Sequence, residues 1–234
     1  MRPTQIRDNK MKNLLPKSLL FLVLGLITTV FYSCSKDDSG NEYSNAATIT
    51  ATNVINQYSP EEMVPDIVTV IAETTDGDLS YYKFAEAQYK NNGFTMKLPA
   101  TVPAQYLIPM FDYPEGVTVS DKTAKQTYFG TFSVYDKDNN ELGELIYSSG
   151  YDNYYDNDSD SYYDSADAVW MYVDKKVTIK GECDYGDGPE IYDLTLVKGW
   201  NIIYQIYSSL SKSTYTYKES SQLPSGVTLK WYYY

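Results

Sequence analysis

From Val227 to Tyr234 the side chains of the chain take strict turns. Val227, Leu229, Trp231 and Tyr233 fall on one side of an extended backbone, and Thr228, Lys230, Tyr232 and Tyr234 on the other. A period of two is the mark of a β-strand, whose successive side chains point to opposite faces. The same period recurs along most of the sequence beyond residue 46, and no stretch there sustains helical spacing. Phe94, Met96 and Leu98 alternate with Thr95 and Lys97, and the run from Tyr128 to Tyr135 continues the pattern. So do Val169 to Val173, Val177 to Cys183, Ile191 to Val197 and Asn201 to Tyr207. Ile67, Thr69 and Ile71 alternate with Val68, Val70 and Ala72, apolar on both faces, which predicts a strand inside a sheet. Composition points the same way: tyrosine occupies 26 positions, against seven Phe and three Trp. Tyr favours strands and can cover a sheet face while its hydroxyl stays in water.

Turn chemistry punctuates these runs. Asp76-Gly77 and Asn92-Gly93 are hairpin-type dipeptides, Asp136-Lys137-Asp138-Asn139-Asn140 separates two strands, and Lys198-Gly199 separates two more. A dozen or more short strands predict an all-β fold, an antiparallel two-sheet β-sandwich over residues 47–234, with a closed or partly open β-barrel as the alternative. Pro99, Pro103, Pro109 and Pro114 make residues 99–125 the best candidate for a subdivision. A chain that ends in so regular a pattern is expected to have its terminus tied into a sheet.

The N-terminal 46 residues read differently. Met11-Lys12-Asn13-Leu14-Leu15-Pro16-Lys17 is a complete basic lead-in, which makes Met11 an alternative start to Met1. About a dozen apolar residues follow from Leu19, the length of a signal-peptide core and short of the roughly 20 that span a bilayer as a helix. Phe31-Tyr32-Ser33-Cys34 then gives way to the polar run Ser35-Lys36-Asp37-Asp38-Ser39-Gly40-Asn41-Glu42. A small residue directly before a single cysteine resembles the lipobox of bacterial lipoproteins, though Phe31 and Tyr32 stand where Leu and a small residue are usual. Such looseness is similar to lipoproteins of gut-dwelling anaerobic Gram-negative bacteria, where an acidic run after the cysteine marks export to the outer cell surface. The resemblance implies that residues 1–33 are removed, that Cys34 is acylated, and that residues 34–46 tether the domain to the outer membrane.

Two passages carry further likenesses. The segment from Tyr89 to Pro99, with Asn91-Asn92-Gly93 at its turn, resembles a hairpin of prealbumin-like and carboxypeptidase-regulatory-like sandwiches. Tyr192-Asp193-Leu194-Thr195-Leu196-Val197-Lys198-Gly199-Trp200-Asn201, with the closing strand, resembles lipoproteins of the same gut anaerobes. That likeness implies an extracytoplasmic β domain and carries over no functional residue.

Charge and missing residue types exclude whole classes of function. The net charge is −12, and loss of residues 1–33, with five basic side chains and one acidic, leaves 14 basic and 30 acidic residues, a net charge of −16. Such a surface repels phosphate backbones, so nucleic acid is not expected as a partner. There is no histidine, which removes Ser-His-Asp and Cys-His catalysis and His-built zinc sites. With Cys34 acylated, Cys183 is left alone in a strand pattern and is expected as a small buried hydrophobe.

The densest run of potential ligands lies in the acidic, Tyr-rich stretch 148–167. Asp156, Asp158, Asp160, Tyr162, Asp164 and Asp167 occupy positions 1, 3, 5, 7, 9 and 12 of a calcium-loop spacing, which would bring hard oxygen donors to Ca²⁺. Ser161 replaces the turn glycine and Asp167 the longer Glu of that pattern, and a solvated hairpin loop is the simpler reading. No other cofactor is expected. Asp164-Ser165-Ala166 resembles the short O-glycosylation sequon of those bacteria, with Ser165 as acceptor in an exposed loop. Ser80-Tyr81-Tyr82-Lys83 matches the Ser-x-x-Lys spacing of penicillin-recognising enzymes, but in a strand the two ends face opposite ways. Trp170, Trp200 and Trp231 sit in strand patterns and are expected in the core; the Tyr pairs at 154–155 and 162–163 are the candidate exposed rings.

These features lead to the expectation of a non-catalytic surface module that contacts glycan or another envelope protein, its ligand-binding residues not legible in the sequence. The alternatives are a carboxylate-based hydrolase acting on glycans, with two acids about 5–10 Å apart, and a structural or assembly subunit.

Overall fold

The computed structural model describes residues 47–57, 67–74, 82–150, 164–184, 186, 188–211 and 214–234. Cys34, the leader and tether, Asp76-Gly77, Ser80, Tyr81, the paired tyrosines at 154–155 and 162–163, Asp156, Asp158 and Asp160 lie outside the described residues. The strands are, in order, β1 (Thr48–Thr52), β2 (Ile55–Asn56), β3 (Thr69–Glu73), β4 (Lys83–Gln88), β5 (Gly93–Lys97), β6 (Ile108–Pro109), β7 (Val117–Val119) and β8 (Lys125–Phe129). They continue as β9 (Thr131–Tyr135), β10 (Glu141–Ser148), β11 (Asp164–Val173), β12 (Val177–Asp184), β13 (Pro189–Leu196), β14 (Gly199–Ser211), β15 (Thr214–Ser220) and β16 (Lys230–Tyr233). A 3₁₀ turn at Ala104–Tyr106 is the one helical element among the described residues.

The fold is all-β and sandwich-like, and neither sheet closes into a barrel. β1 and β5 form a two-stranded antiparallel sheet; the other strands join in one network ordered β4-β3-β9-β10-β11-β14-β15-β13-β12-β7, with β16 and β2 branching from β10, and β8 and β6 from β11. Pairing is antiparallel except at β13–β15 and β16–β2, which are parallel. The run from Tyr128 to Tyr135, continuous in sequence, divides at Gly130: β8 pairs with β11, whereas β9 pairs with β3 and β10. The inward positions shift in step, from Phe129 before the glycine to Phe132 and Val134 after it.

Two apolar cores share β11. Ala166, Ala168, Trp170 and Tyr172 face the first, with Phe129, Phe132, Leu145, Trp200, Trp231 and, from the small sheet, Phe94 and Met96. Phe129 lies nearly parallel to Trp170 (centroids 5.8 Å apart), while Phe132 stands edge-on to Trp170 and Phe94 edge-on to Trp231. Such pairs add about 0.5–1.5 kcal/mol each beyond the area they bury. All three tryptophans are buried, as their strand positions predict. Val169, Met171 and Val173 face the second core, closed by Val177, Ile179, Leu194, Leu196 and Ile203. β11 is thus apolar on both faces because it is covered on both.

Several expectations change in detail. In the Asn-rich turn the left-handed residues are Asn91 and Asn92 (φ 53° and 56°), bracketed by mutual bonds of Lys90 and Gly93. Gly93 instead opens β5, where a Cβ would stand 2.1 Å from the Ala51 carbonyl oxygen. The turn joins β4 to β5, which lie in different sheets, so it is not a ladder hairpin. The Pro-rich stretch makes no boundary: Glu42–Tyr234 is one compact unit, and the Trp200 indole N–H donates to the Pro99 carbonyl at 2.8 Å. The closing strand is tied in, with β16 between β10 and β2.

Near Lys198-Gly199 the Asn201 side chain bonds both Val197 N–H and its carbonyl, and β13 and β14 diverge from there. β15 lies between them, Glu190–Asp193 along one side and Tyr204–Ser211 along the other. Ser221 sits at the fork, its hydroxyl oxygen accepting from Thr195 N–H at 2.8 Å.

Candidate functional site

The face of β11 and β14 that covers the second core does not stop where the core stops. Beyond Val169 and Ile203 it runs on into polar and aromatic positions, because β11, β14, β15, β13 and β12 stay in register there. One row across the strands reads Asp167, Gln205, Glu219, Tyr192, Gly181. The next reads Ser165, Tyr207, Tyr217, Glu190, Cys183. Across the parallel β13–β15 pair, Glu and Tyr therefore alternate like squares of a board, and Tyr215 extends the tyrosine column on β15.

Hydrogen bonds hold the board together. The Tyr192 hydroxyl donates to Glu190 Oε2 at 2.8 Å, and the Tyr217 hydroxyl to Glu219 Oε1 at 2.6 Å. Gln205 Nε2 adds a third bond to Glu219 Oε1 at 3.3 Å. Gly181, opposite Tyr192, has room for no Cβ: one would stand 2.1 Å from the Gly116 carbonyl oxygen, at the start of the antiparallel pairing of β7 with β12. From the preceding segment, Tyr113 stands edge-on to Tyr192 with centroids 5.0 Å apart.

Neither row contains Lys or Arg. The nearest lysines of these strands, Lys180 and Lys218, belong to the opposite face, where both act on Asp193. The acidity of the face shows in its phenols. Burial, then the Glu219 carboxylate, pushes Tyr217 and Tyr113 well above the ordinary phenol range; burial and the bond to Glu190 do the same for Tyr192. Burial first, then Asp167, raises Tyr207. These hydroxyls stay protonated at all physiological pH and act as donors, not as bases. Burial and the neighbouring Glu190, Asp184 and Glu182 raise the Cys183 thiol, which is no activated nucleophile.

Of the residues singled out by sequence, Ser165 and Asp167 come together on this face. The acidic composition of 148–167 predicts both in a loop, but the strand begins at Asp164: backbone pairing sets Asp164 opposite Ser208, Ser165 opposite Tyr207 and Asp167 opposite Gln205. The sheet ladder thus takes in the last two positions of the calcium-loop spacing, and Ser165 is half-buried rather than in an exposed loop. Among the described residues no group of three or more acids or cysteines is arranged to hold a metal ion. Cys183 is half-exposed, not buried, because β12 runs past the end of the second core at Gly181. Lys83 pairs with Glu86 on the edge strand β4.

Glu190, Tyr192, Tyr207, Tyr217 and Glu219 escape sequence reasoning. The two halves are each visible as Glu-x-Tyr and Tyr-x-Glu in strand patterns, but only the parallel pairing of β13 with β15 sets them side by side.

A second acid group lies on the face of β3, β9 and β10 turned away from the first core, where Glu73 and Ser133 are themselves buried. Ser133 Oγ donates to Glu73 Oε1 at 3.2 Å, and Glu144 stands opposite Ser133 in the ladder. Burial, then the nearby Glu141, raises the half-buried Glu144 carboxyl above the usual range.

No family model matches the chain, and no curated protein or solved structure resembles it significantly.

Proposed function

We propose that the chain is a cell-envelope lipoprotein, anchored through Cys34, whose β domain is a non-catalytic binding module working through the Tyr–Glu face of β13, β14 and β15. The observation that carries this reading is the two-row board itself. Four tyrosines and three carboxylates share one face, with Tyr207 and Tyr215 partly open to solvent and no activated nucleophile beside them. Such a surface offers ring faces, phenol donors and carboxylate acceptors, which is equipment for recognition. The exposed rings lean against one another, Tyr207 at 48° to both Tyr215 and Tyr217, so they make no flat platform for a sugar. That favours a protein partner in the envelope over a glycan.

Two experiments test the proposal. Fatty-acid labelling in cells is expected to mark the protein and to vanish in Cys34→Ser; labelling that persists would remove the anchor. A photo-crosslinking residue at position 207 is expected to capture an envelope component that the same residue at position 137 does not. Equal capture at the two positions counts against the face.

The alternative of a carboxylate hydrolase draws on Glu144, whose raised carboxyl suits a general acid. It predicts hydrolysis of an envelope glycan that Glu144→Gln abolishes without loss of fold, and a wild-type protein inert towards such glycans removes it.

A further inference from the structure

We propose that Asn92 is a deamidation site held back by the fold. Its side-chain amide converts to a carboxylate only when the turn between β4 and β5 opens, and the conversion then loosens the two-stranded sheet. The inference is independent of what the Tyr–Glu face binds.

The chemistry starts from the sequence, in which Asn92-Gly93 is the only Asn-Gly pair. Glycine carries no side chain to hinder attack, and its backbone turns freely, so its nitrogen can reach the carbonyl carbon of the preceding Asn side chain. The Gly93 nitrogen gives its proton to solvent base and bonds to Asn92 Cγ; Nδ2 takes a proton from water and leaves as ammonia. Water then opens the five-membered imide at either carbonyl, giving an aspartyl or an isoaspartyl link. Water is the one co-reactant, and nothing is oxidised or reduced.

The closed turn occupies every group that must move. The attacking nitrogen is engaged, since Gly93 N–H donates to the Lys90 carbonyl at 3.2 Å. The leaving nitrogen is engaged as well: Asn92 Nδ2 donates to the Val54 carbonyl at 3.1 Å. The Tyr89 hydroxyl donates to Asn92 Oδ1 at 2.8 Å, and Val54 N–H donates to the Asn92 carbonyl at 3.3 Å. Tyr89 is packed against the first core, and burial pushes its phenol up to about 12, so it is a fixed donor.

The product does not fit where the amide did. A carboxylate is acceptor-only, so it cannot donate to the Val54 carbonyl and repels it instead. An isoaspartyl link also adds a methylene to the backbone directly before Gly93. That residue has no space to give, because a Cβ on it would stand 2.1 Å from the Ala51 carbonyl oxygen of β1.

The experiment holds the full-length chain at pH 8 and follows the peptide carrying residue 92 by mass spectrometry, with and without urea. Conversion and isoaspartate content are expected to rise at least about tenfold faster in urea than in the folded chain, as the loss of the side-chain bonds implies. In the folded chain Tyr89→Phe should speed conversion about fivefold, the worth of one such bond. Ser221→Ala, a comparable loss far from the turn, should leave the rate unchanged. Equal rates in folded and unfolded chain, or equal acceleration in the two variants, overturns the inference. A slower reaction in Tyr89→Phe also overturns it, since the phenol would then activate the amide rather than hold it. Asn92→Asp, which tolerates the same left-handed backbone, should speed amide exchange across β1 and β5 about tenfold. Unchanged exchange there removes the link between the conversion and the sheet.

Discussion

Among the described residues, Gln126 is the one whose environment fits its chemistry least. Its side chain is fully buried in β8, and neither amide atom meets a hydrogen-bond partner among the described residues. A buried amide without partners costs about 1–3 kcal/mol for each polar group left unmade. Gln126→Met, close in volume and apolar, is therefore expected to raise stability by about 1–3 kcal/mol in urea unfolding. A variant no more stable than the parent would show that the amide is satisfied. Glu144 makes a pH-dependent counterpart. Its folded-state carboxyl binds its proton more tightly than an exposed one does, so the native state holds excess proton between the ordinary value of 4.5 and its raised one. Stability falls as pH rises through that window. Glu144→Gln should flatten this fall, and thermal melts at pH 4 and pH 7 that keep the same difference in wild type and variant would refute the assignment.

Among the elements, β15 explains most about how the candidate site is made. A hairpin whose strands diverge exposes unpaired backbone groups at its open end, and β15 fills that end by pairing with both arms. The arrangement depends on Ser221 at the fork. Ser221→Ala leaves the Thr195 N–H without its acceptor and is expected to cost about 0.5–1.5 kcal/mol, with faster amide exchange at Thr195. Unchanged exchange there would mean that the fork holds without it. β16 has the comparable role in the first core, where Trp231 meets Phe94, Phe132, Tyr147 and Trp170. Trp231→Ala should cost about 3–5 kcal/mol, a loss read as an equal fall in denaturant stability.

For the whole molecule, the tyrosine surplus sets a limit on the alkaline side. Tyr89 is pushed up to about 12 by burial, and Tyr113, Tyr192, Tyr207 and Tyr217 are raised by burial and neighbouring carboxylates. Because these phenols lose a proton less readily folded than unfolded, their stabilisation is complete below pH 10. It is lost as pH rises toward the folded-state values. Phenolate absorbance from these five tyrosines is therefore expected to appear together with loss of near-ultraviolet circular dichroism, above pH 10. Phenolate formation of all tyrosines near pH 10 in a still-folded protein would contradict this.

Strand content, the burial of Trp170, Trp200 and Trp231, the Asp136–Asn140 turn and the tied C-terminus were legible in the sequence, because each follows from local period or turn chemistry. The positions of Asn91-Asn92 and Gly93 were legible only in part, since a turn's register depends on what its strands approach, here the Ala51 carbonyl. The Tyr–Glu face was legible only as two unconnected halves. Glu190 and Tyr192 lie far along the chain from Tyr217 and Glu219, and alternation says which face a residue takes but not which strand lies beside it. That neighbour is chosen by long-range pairing, which set β15 between β13 and β14 and left three carboxylates and their tyrosines on one side of a sheet.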